Sequence, residues 1–123
     1  MKKKLIALSI VVALFMTFMV PMASATASTT VLDLGDGPVV INYPGDYTII
    51  GTYTGAGTAI TLNVYTNITL DNVTITTADT GIYAPYGASI EVVGDNYLPT
   101  IYCESEEYFK SLHIYGDGVL TLY

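Results

Sequence analysis

Tyrosine is the aromatic residue that this sequence offers for contacts with a ligand. The 123-residue chain contains 11 tyrosines and no tryptophan. Tyr83 and Tyr102 each follow an isoleucine in similar short segments, and Tyr65, Tyr86 and Tyr108 recur near the turns beyond them. Exposed tyrosine rings hold sugars by apolar contact with C–H faces and by hydroxyl hydrogen bonds. These five residues are the predicted carbohydrate-binding site, although tyrosine is also enriched in ordinary β-strands.

Acidic residues form two groups that could bind calcium. Glu104, Glu106 and Glu107 crowd one segment, whereas Asp95 and Asp117 occupy equivalent turns. Calcium takes several oxygen ligands, often from a flexible loop. Tight turns also use Asp, Asn and Gly for purely conformational reasons. Calcium binding and turn formation therefore both remain open as interpretations of these acids.

Catalytic residues are harder to find. Repeat spacing predicts that His113 points outward next to Glu91, and a histidine beside a carboxylate can act as a general base. No nucleophile completes such a set, and the scattered acids do not define the paired carboxylates of a glycosidase. The sequence therefore predicts a binding protein and not an enzyme.

The N-terminal region resembles a secretory signal peptide. Lys2 to Lys4 precede an apolar run from Leu5 to Val20, and the small residues Ala23, Ser24 and Ala25 follow. This order of charge, apolar core and small-residue site is typical of a cleaved signal, and the run is shorter than the ~20 residues of a membrane-spanning helix. We predict cleavage after Ala25, with Ala27 as the second choice and an uncleaved anchor as the alternative. The mature protein is then secreted or at the cell surface, with no membrane segment.

Cleavage would leave a strongly acidic chain. Lys110 is then the one lysine against 11 acidic residues, without any arginine, so the net charge is −10. Nucleic acids need Lys and Arg to neutralise their phosphates, and anionic surfaces would be repelled. Neutral extracellular polysaccharides, cations and basic partners remain as candidate ligands.

The elements that must position these residues are short repeated strands. Ile68, Ile90 and Leu112 are 22 residues apart, and each begins an alternating apolar triplet. A turn residue follows each triplet, and these turn residues are Asn72, Gly94 and Gly116. The four copies of this motif are 44–51, 66–72, 87–94 and 110–116, and a second strand repeats more loosely at 60–62, 82–84 and 101–103.

A period near 22 residues with strands and no helices predicts an all-β solenoid, a right-handed parallel β-helix of about four coils. A leucine-rich repeat would need a ladder of Asn or Cys beside several leucines, and an antiparallel sandwich would not explain the constant interval. The expected domains are a helical signal peptide over residues 1–25, an N-terminal segment or cap over 26–44, and β-helix repeats over 45–123.

Residues 68–75, 81–83, 94–96 and 116–122 together resemble the repeats of bacterial secreted carbohydrate-binding β-helix proteins, which share the shape of pectate lyases. The resemblance covers roughly residues 45–122. It implies a β-helix that binds polysaccharide. Lyases of this shape combine calcium, clustered Asp and a basic residue, and here only Lys110 could supply the base.

The last residues predict an alternating strand with an open edge, which invites pairing with another chain. Two alternatives to carbohydrate binding follow from this edge. The chain is a structural or adhesive surface protein that self-associates through its C-terminal edge, or it is a truncated fragment of a longer β-helix protein.

Overall fold

The computed structural model describes residues 29–104 and 111–123, and the predicted signal peptide lies outside the described residues. Most of the described chain is in β-strands, because Thr, Ile, Val and Tyr favour a pleated backbone. The strands are β1 (Thr30–Asp33), β2 (Val39–Ile41), β3 (Asp46–Tyr53), β4 (Thr58–Leu62), β5 (Asn67–Ile75), β6 (Thr80–Tyr83), β7 (Ala88–Val93), β8 (Asp95–Leu98), β9 (Ile101–Tyr102), β10 (Leu112–Tyr115) and β11 (Val119–Leu122), with a 3₁₀ helix at Leu34–Asp36.

The strands form two parallel sheets, which confirms the predicted β-helix. Sheet A runs in the order β1-β3-β5-β7-β10, with β8 and β11 continuing it beyond a bend, and sheet B runs β2-β4-β6-β9. Each strand pairs with the equivalent strand of the next coil, as when Ile68 of β5 lies beside Ile90 of β7. The chain therefore winds through about four coils, and residues at equivalent positions form ladders along the helix axis.

A positive-φ residue turns three successive coils from the first part of sheet A into the second. Gly51, Asn72 and Gly94 have φ angles of 90°, 54° and 69°. Such angles suit glycine and are tolerated by asparagine, because other side chains clash with the following carbonyl. Asn72 and Gly94 therefore form the predicted corner, whereas Gly116, the glycine predicted to continue it in the last coil, lies two residues out of line.

Aliphatic ladders fill the interior. Ile49 of β3 lies beside Leu70 of β5, which lies beside Val92 of β7, and all three side chains are buried. Ile60 and Ile82 form a second buried ladder on sheet B. Burying an aliphatic side chain stabilises a fold by about 1.5–3 kcal/mol, so this continuous core supports a chain whose single cysteine is free.

The segment expected to act as an N-terminal cap supplies the first coil. β1 pairs with β3 and β2 pairs with β4, in the same parallel manner as the later coils. Between them, Asp33 accepts a hydrogen bond from the backbone N–H of Gly35 at 2.8 Å and starts the 3₁₀ helix. This places Leu34 in the core, where it is buried.

The last coil departs from the predicted register. Ile114, and not Leu112, lies beside Ile90, so the interval from β7 to β10 is 24 residues and not 22. His113 consequently lies beside Ser89, and the predicted neighbour relation between His113 and Glu91 is wrong. A shift of two residues keeps the same side chains facing inward, which is why the alternating pattern alone did not reveal it.

Candidate functional site

Tyr83 and Tyr102 stack on the outer face of sheet B, as predicted. Their positions pair between β6 and β9, and the ring centroids are 5.4 Å apart with an angle of 17° between the planes. Tyr83 is half-buried and Tyr102 is 49% exposed. Because each ring covers one face of the other, the exposed half of Tyr102 is the larger surface that the pair offers to a ligand.

Two of the three remaining predicted tyrosines lie at one corner of the coils, away from the Tyr83–Tyr102 pair. Tyr65 follows β4 and Tyr86 follows β6, so both lie at the corner where the chain passes from sheet B to sheet A, and both are exposed. They recur at one corner, as expected, but on a different part of the coil from the Tyr83–Tyr102 pair. Tyr108 lies outside the described residues.

The described acids do not gather into a metal site. Asp95 lies beside Val119 on β11, so the expected ladder of Asp95 and Asp117 is wrong, because the 24-residue interval moves Asp117 out of line. Glu104 is exposed. Within residues 29–104 and 111–123, no group of three or more His, Cys, Asp or Glu side chains could hold a metal ion. Glu106 and Glu107 lie outside the described residues, so calcium binding at their segment stays a prediction.

Sequence reasoning missed a polar groove on the outer face of sheet A. The groove has a volume of about 290 Å³ and crosses successive coils. Its lining residues are Thr29, Asp46, Tyr47, Thr48, Asn67, Ile68, Thr69, Glu91 and Tyr115. Two outward ladders supply most of them, one through Asp46 and Asn67 and the other through Thr48, Thr69, Glu91 and Tyr115.

Hydrogen bonds orient the polar side chains of this groove. The Asn67 amide Nδ2 donates to Asp46 Oδ1 at 3.1 Å. The Thr69 hydroxyl donates to Glu91 Oε2 at 3.5 Å, which is a long and weak contact. The groove therefore offers two carboxylates whose remaining lone pairs face solvent.

The aromatic residue Tyr115 lines the groove. Tyr115 stacks on His113 of the same strand, with ring centroids 5.3 Å apart and an interplanar angle of 24°. Tyr115 reaches the groove only through the 24-residue interval, which sets it beside Glu91. The signal that could have found it is strand alternation: residues 48, 69, 91 and 115 each neighbour an inward-facing apolar residue and therefore all point outward.

A third aromatic pair lies beyond the bend of sheet A. Tyr97 and Tyr123 stack with ring centroids 4.5 Å apart, and the Tyr123 hydroxyl donates to the Ile75 carbonyl at 3.0 Å. Partial burial of the phenol, and secondly the neighbouring Tyr97, raise the pKa of Tyr123 above its ordinary value of 10.0. The stack therefore joins the segments of β8 and β11 on two neighbouring coils.

Comparison with known proteins gives no relative: no family model, curated protein or solved structure matches this chain. The resemblance to secreted carbohydrate-binding β-helix proteins stays a prediction. In the described part of the chain, no helix is long and apolar enough to cross a membrane.

Proposed function

We propose that this protein is a secreted, non-catalytic β-helix module that binds extracellular polysaccharide through Tyr83 and Tyr102. The observation that supports this proposal is the stacked pair on the outside of sheet B, which leaves the Tyr102 ring about half exposed. An aromatic ring with a free face and a hydroxyl suits a sugar, which presents C–H groups beside hydrogen-bonding groups.

Charge supports a neutral polysaccharide over an anionic one. After cleavage at the predicted signal site, the chain carries one lysine against 11 acids. An anionic polymer would meet repulsion over the whole surface, whereas a neutral glycan meets none. The predicted signal peptide supports a place outside the cytoplasm, where such polymers occur.

The test is binding to insoluble neutral polysaccharides by pull-down, with the Tyr83→Ala/Tyr102→Ala double variant. We expect the double variant to lose at least about fivefold in affinity, since two aromatic contacts worth roughly 0.5–1.5 kcal/mol each beyond their buried area are removed. Tyr43→Ala is the matched control, because Tyr43 is a strongly exposed tyrosine outside the pair. Unchanged binding by the folded double variant would reject the proposal.

Calcium assistance is a separate part of the proposal and concerns Glu104, Glu106 and Glu107. A ligand that binds only the folded state raises the unfolding temperature. We therefore expect calcium to raise the melting temperature of the parent and not of a variant in which these three acids are replaced by Gln. A melting temperature that calcium leaves unmoved in the parent would remove calcium from the proposal.

Self-association is the second candidate function, and one observation favours it. Leu112, Ile114 and Leu122 lie beside the buried Ala88, Ile90 and Leu98, yet their exposed fractions are 37%, 42% and 51%. The apolar ladders of the core are therefore exposed at this end of the described coils. An exposed strand edge can pair with a strand of another chain.

Light scattering at increasing concentration and salt tests this candidate, since salt screens the repulsion between acidic copies. We expect dimers or larger species for the parent and a monomer for Leu122→Asp. Val40→Asp is the control, because Val40 is an exposed apolar residue on the outside of sheet B. A parent that stays monomeric at high concentration and high salt would exclude assembly.

A further inference from the structure

We propose that the polar groove on sheet A is a second binding site, and that its ligand is a saccharide chain carrying protonated amino groups. The groove lies on a different sheet from the Tyr83–Tyr102 pair, so this inference does not rest on that site. Three features of the groove support it: its charge, its aromatic residue Tyr115 and its repeated polar groups.

The charge of the groove is negative. Asp46 and Glu91 are the two charged side chains that line it, and the described chain contains no lysine or arginine to neutralise them. Each carboxylate can accept several hydrogen bonds, and the described neighbours donate only those from Asn67 and Thr69. An ammonium group carries three donors and no acceptor, so it matches these carboxylates in both charge and hydrogen bonding.

The ring of Tyr115 adds an apolar surface for a sugar ring. Tyr115 lines the groove beside Glu91 and is held by its stack with His113. A tyrosine ring attracts a neighbouring cation through its π face and packs against C–H groups. A carboxylate beside an aromatic ring therefore favours a ligand that is cationic and partly apolar, as an amino sugar is.

The polar groups recur at the spacing of the coils, which favours a chain over a single small cation. Thr48, Thr69 and Glu91 are successive members of one ladder, and neighbouring strands are ~4.8 Å apart. Hydroxyl and carboxylate groups at regular steps along the axis suit a polymer whose hydroxyl and amino groups also repeat. A bare metal ion is a poorer match, because no described group of three acidic, His or Cys ligands comes together there.

The experiment compares two oligosaccharides of equal length by titration calorimetry, one of β-1,4-linked glucosamine and one of its N-acetylated form, at slightly acidic pH. A hydrogen bond to a charged group contributes ~1.5–3 kcal/mol. We therefore expect the amine-bearing oligomer to bind roughly tenfold or more tightly than the acetylated one. Equal affinity for the two would overturn the proposal, because the amine would then not be recognised.

Matched variants locate the site. Glu91→Gln and Asp46→Asn preserve shape and remove one charge each, and we expect either to weaken binding of the glucosamine oligomer by about tenfold. Asp79→Asn removes the same charge at an exposed residue that does not line the groove, and we expect less than about a twofold change, as for a solvent-screened charge. An equal loss in Asp79→Asn would show that the attraction is diffuse and not a site.

Two further comparisons decide the class of ligand and separate the two proposed sites. A lysine oligomer of the same charge is expected to bind more weakly, since it offers no hydroxyls to Thr48 and Thr69; equal or tighter binding would contradict the saccharide assignment. Repeating both titrations in the Tyr83→Ala/Tyr102→Ala variant removes the other proposed site, and we expect the preference for the amine-bearing oligomer to remain; loss of that preference would contradict its assignment to the groove. If circular dichroism shows that Glu91→Gln does not fold, the same loss of glucosamine-oligomer binding is tested with Asp46→Asn alone.

Discussion

The side-chain oxygen of Asn96 accepts a hydrogen bond from the backbone N–H of Val73 on the neighbouring coil, at 2.8 Å. The amide nitrogen of Asn96 donates to the carbonyls of Val93 at 3.0 Å and Val119 at 3.4 Å. Asn96 is 2% exposed and its hydrogen bond with the Val73 N–H is buried, so this N–H has no water as an alternative partner. One buried amide therefore satisfies the backbone of three successive coils just beyond the bend.

Removing this amide should destabilise the protein strongly. Asn96→Ala leaves the buried Val73 N–H without its partner, at a cost of about 1–3 kcal/mol, and it removes two part-buried hydrogen bonds to carbonyls that contribute about 0.5–1.5 kcal/mol each. We expect the free energy of unfolding to fall by roughly 2–5 kcal/mol in urea denaturation. Asn63→Ala is the control, because Asn63 makes an exposed hydrogen bond with Asn42 at 2.8 Å. Similar losses in the two variants would contradict the assigned role of Asn96.

A second prediction concerns the glycine at the bend, Gly94, which we compare with Gly57, a glycine of similar backbone angle elsewhere in the coils. Gly94 and Gly57 have φ angles of 69° and 80°, but a β-carbon on Gly94 would collide with the Asn72 side chain, whereas one on Gly57 would meet open space. Gly57→Ala should lower the free energy of unfolding by about 1–2 kcal/mol, the cost of a left-handed residue with a side chain.

Gly94→Ala should cost more than Gly57→Ala, because Asn72 must also move and its hydrogen bond to the Asp95 N–H, at 3.1 Å, is disturbed. Thermal or urea unfolding of both variants measures the difference. Equal losses would mean that conformation alone, and not the Asn72 contact, requires glycine at this corner.

The sequence predicted the coils well where the interval between repeats is regular or where a short motif marks the strand. Ile68 beside Ile90 follows from the 22-residue period. Tyr83 beside Tyr102 was found although only 19 residues separate them, because each follows an isoleucine of the inner ladder. Both predictions rest on the alternation between inward apolar and outward polar side chains.

The last coil could not be predicted in the same way. Its 24-residue interval shifts the register by two, and a shift of two conserves the alternation that sequence reasoning relies on. The groove was missed for this reason. Tyr115 and Glu91 become neighbours only in the observed register, and the other lining residues come from three further coils that are distant in sequence.

The phenol of Tyr123 provides a prediction on pH. Its partial burial and the neighbouring Tyr97 raise its pKa, and its hydroxyl must keep the proton to donate to Ile75. The folded state thus holds this proton more tightly than the unfolded state. Stability from this group is complete below the ordinary tyrosine pKa and falls as the pH rises through the higher folded value.

Ultraviolet difference spectra of the parent minus Tyr123→Phe isolate the ionisation of Tyr123. We expect its midpoint above the ordinary tyrosine value, with a smaller displacement in Tyr97→Phe, which removes the second cause and keeps a ring in place. Circular dichroism at each pH establishes that the protein is still folded. A midpoint at or below the ordinary value in the folded protein would contradict the hydrogen-bonded geometry.

The last prediction separates the structural role of the Tyr83–Tyr102 pair from its proposed role in binding. Stacked aromatic pairs contribute about 0.5–1.5 kcal/mol beyond their buried area, and cross-strand pairs stabilise neighbouring strands. A double-mutant cycle with Tyr83→Ala and Tyr102→Ala should therefore give a coupling energy in that range. Tyr83→Ala combined with Tyr97→Ala is the control cycle, because Tyr97 lies on sheet A and stacks with Tyr123 instead.

The same variants then report on ligand binding. If the pair only stabilises sheet B, Tyr102→Phe should bind polysaccharide like the parent. If Tyr102 contacts the sugar through its hydroxyl and outer ring face, Tyr102→Phe should lose one hydrogen bond, worth about 0.5–1.5 kcal/mol of binding energy, with little change in stability. A loss of stability in Tyr102→Phe as large as the loss of affinity would contradict a direct role, since Tyr102 is about half exposed.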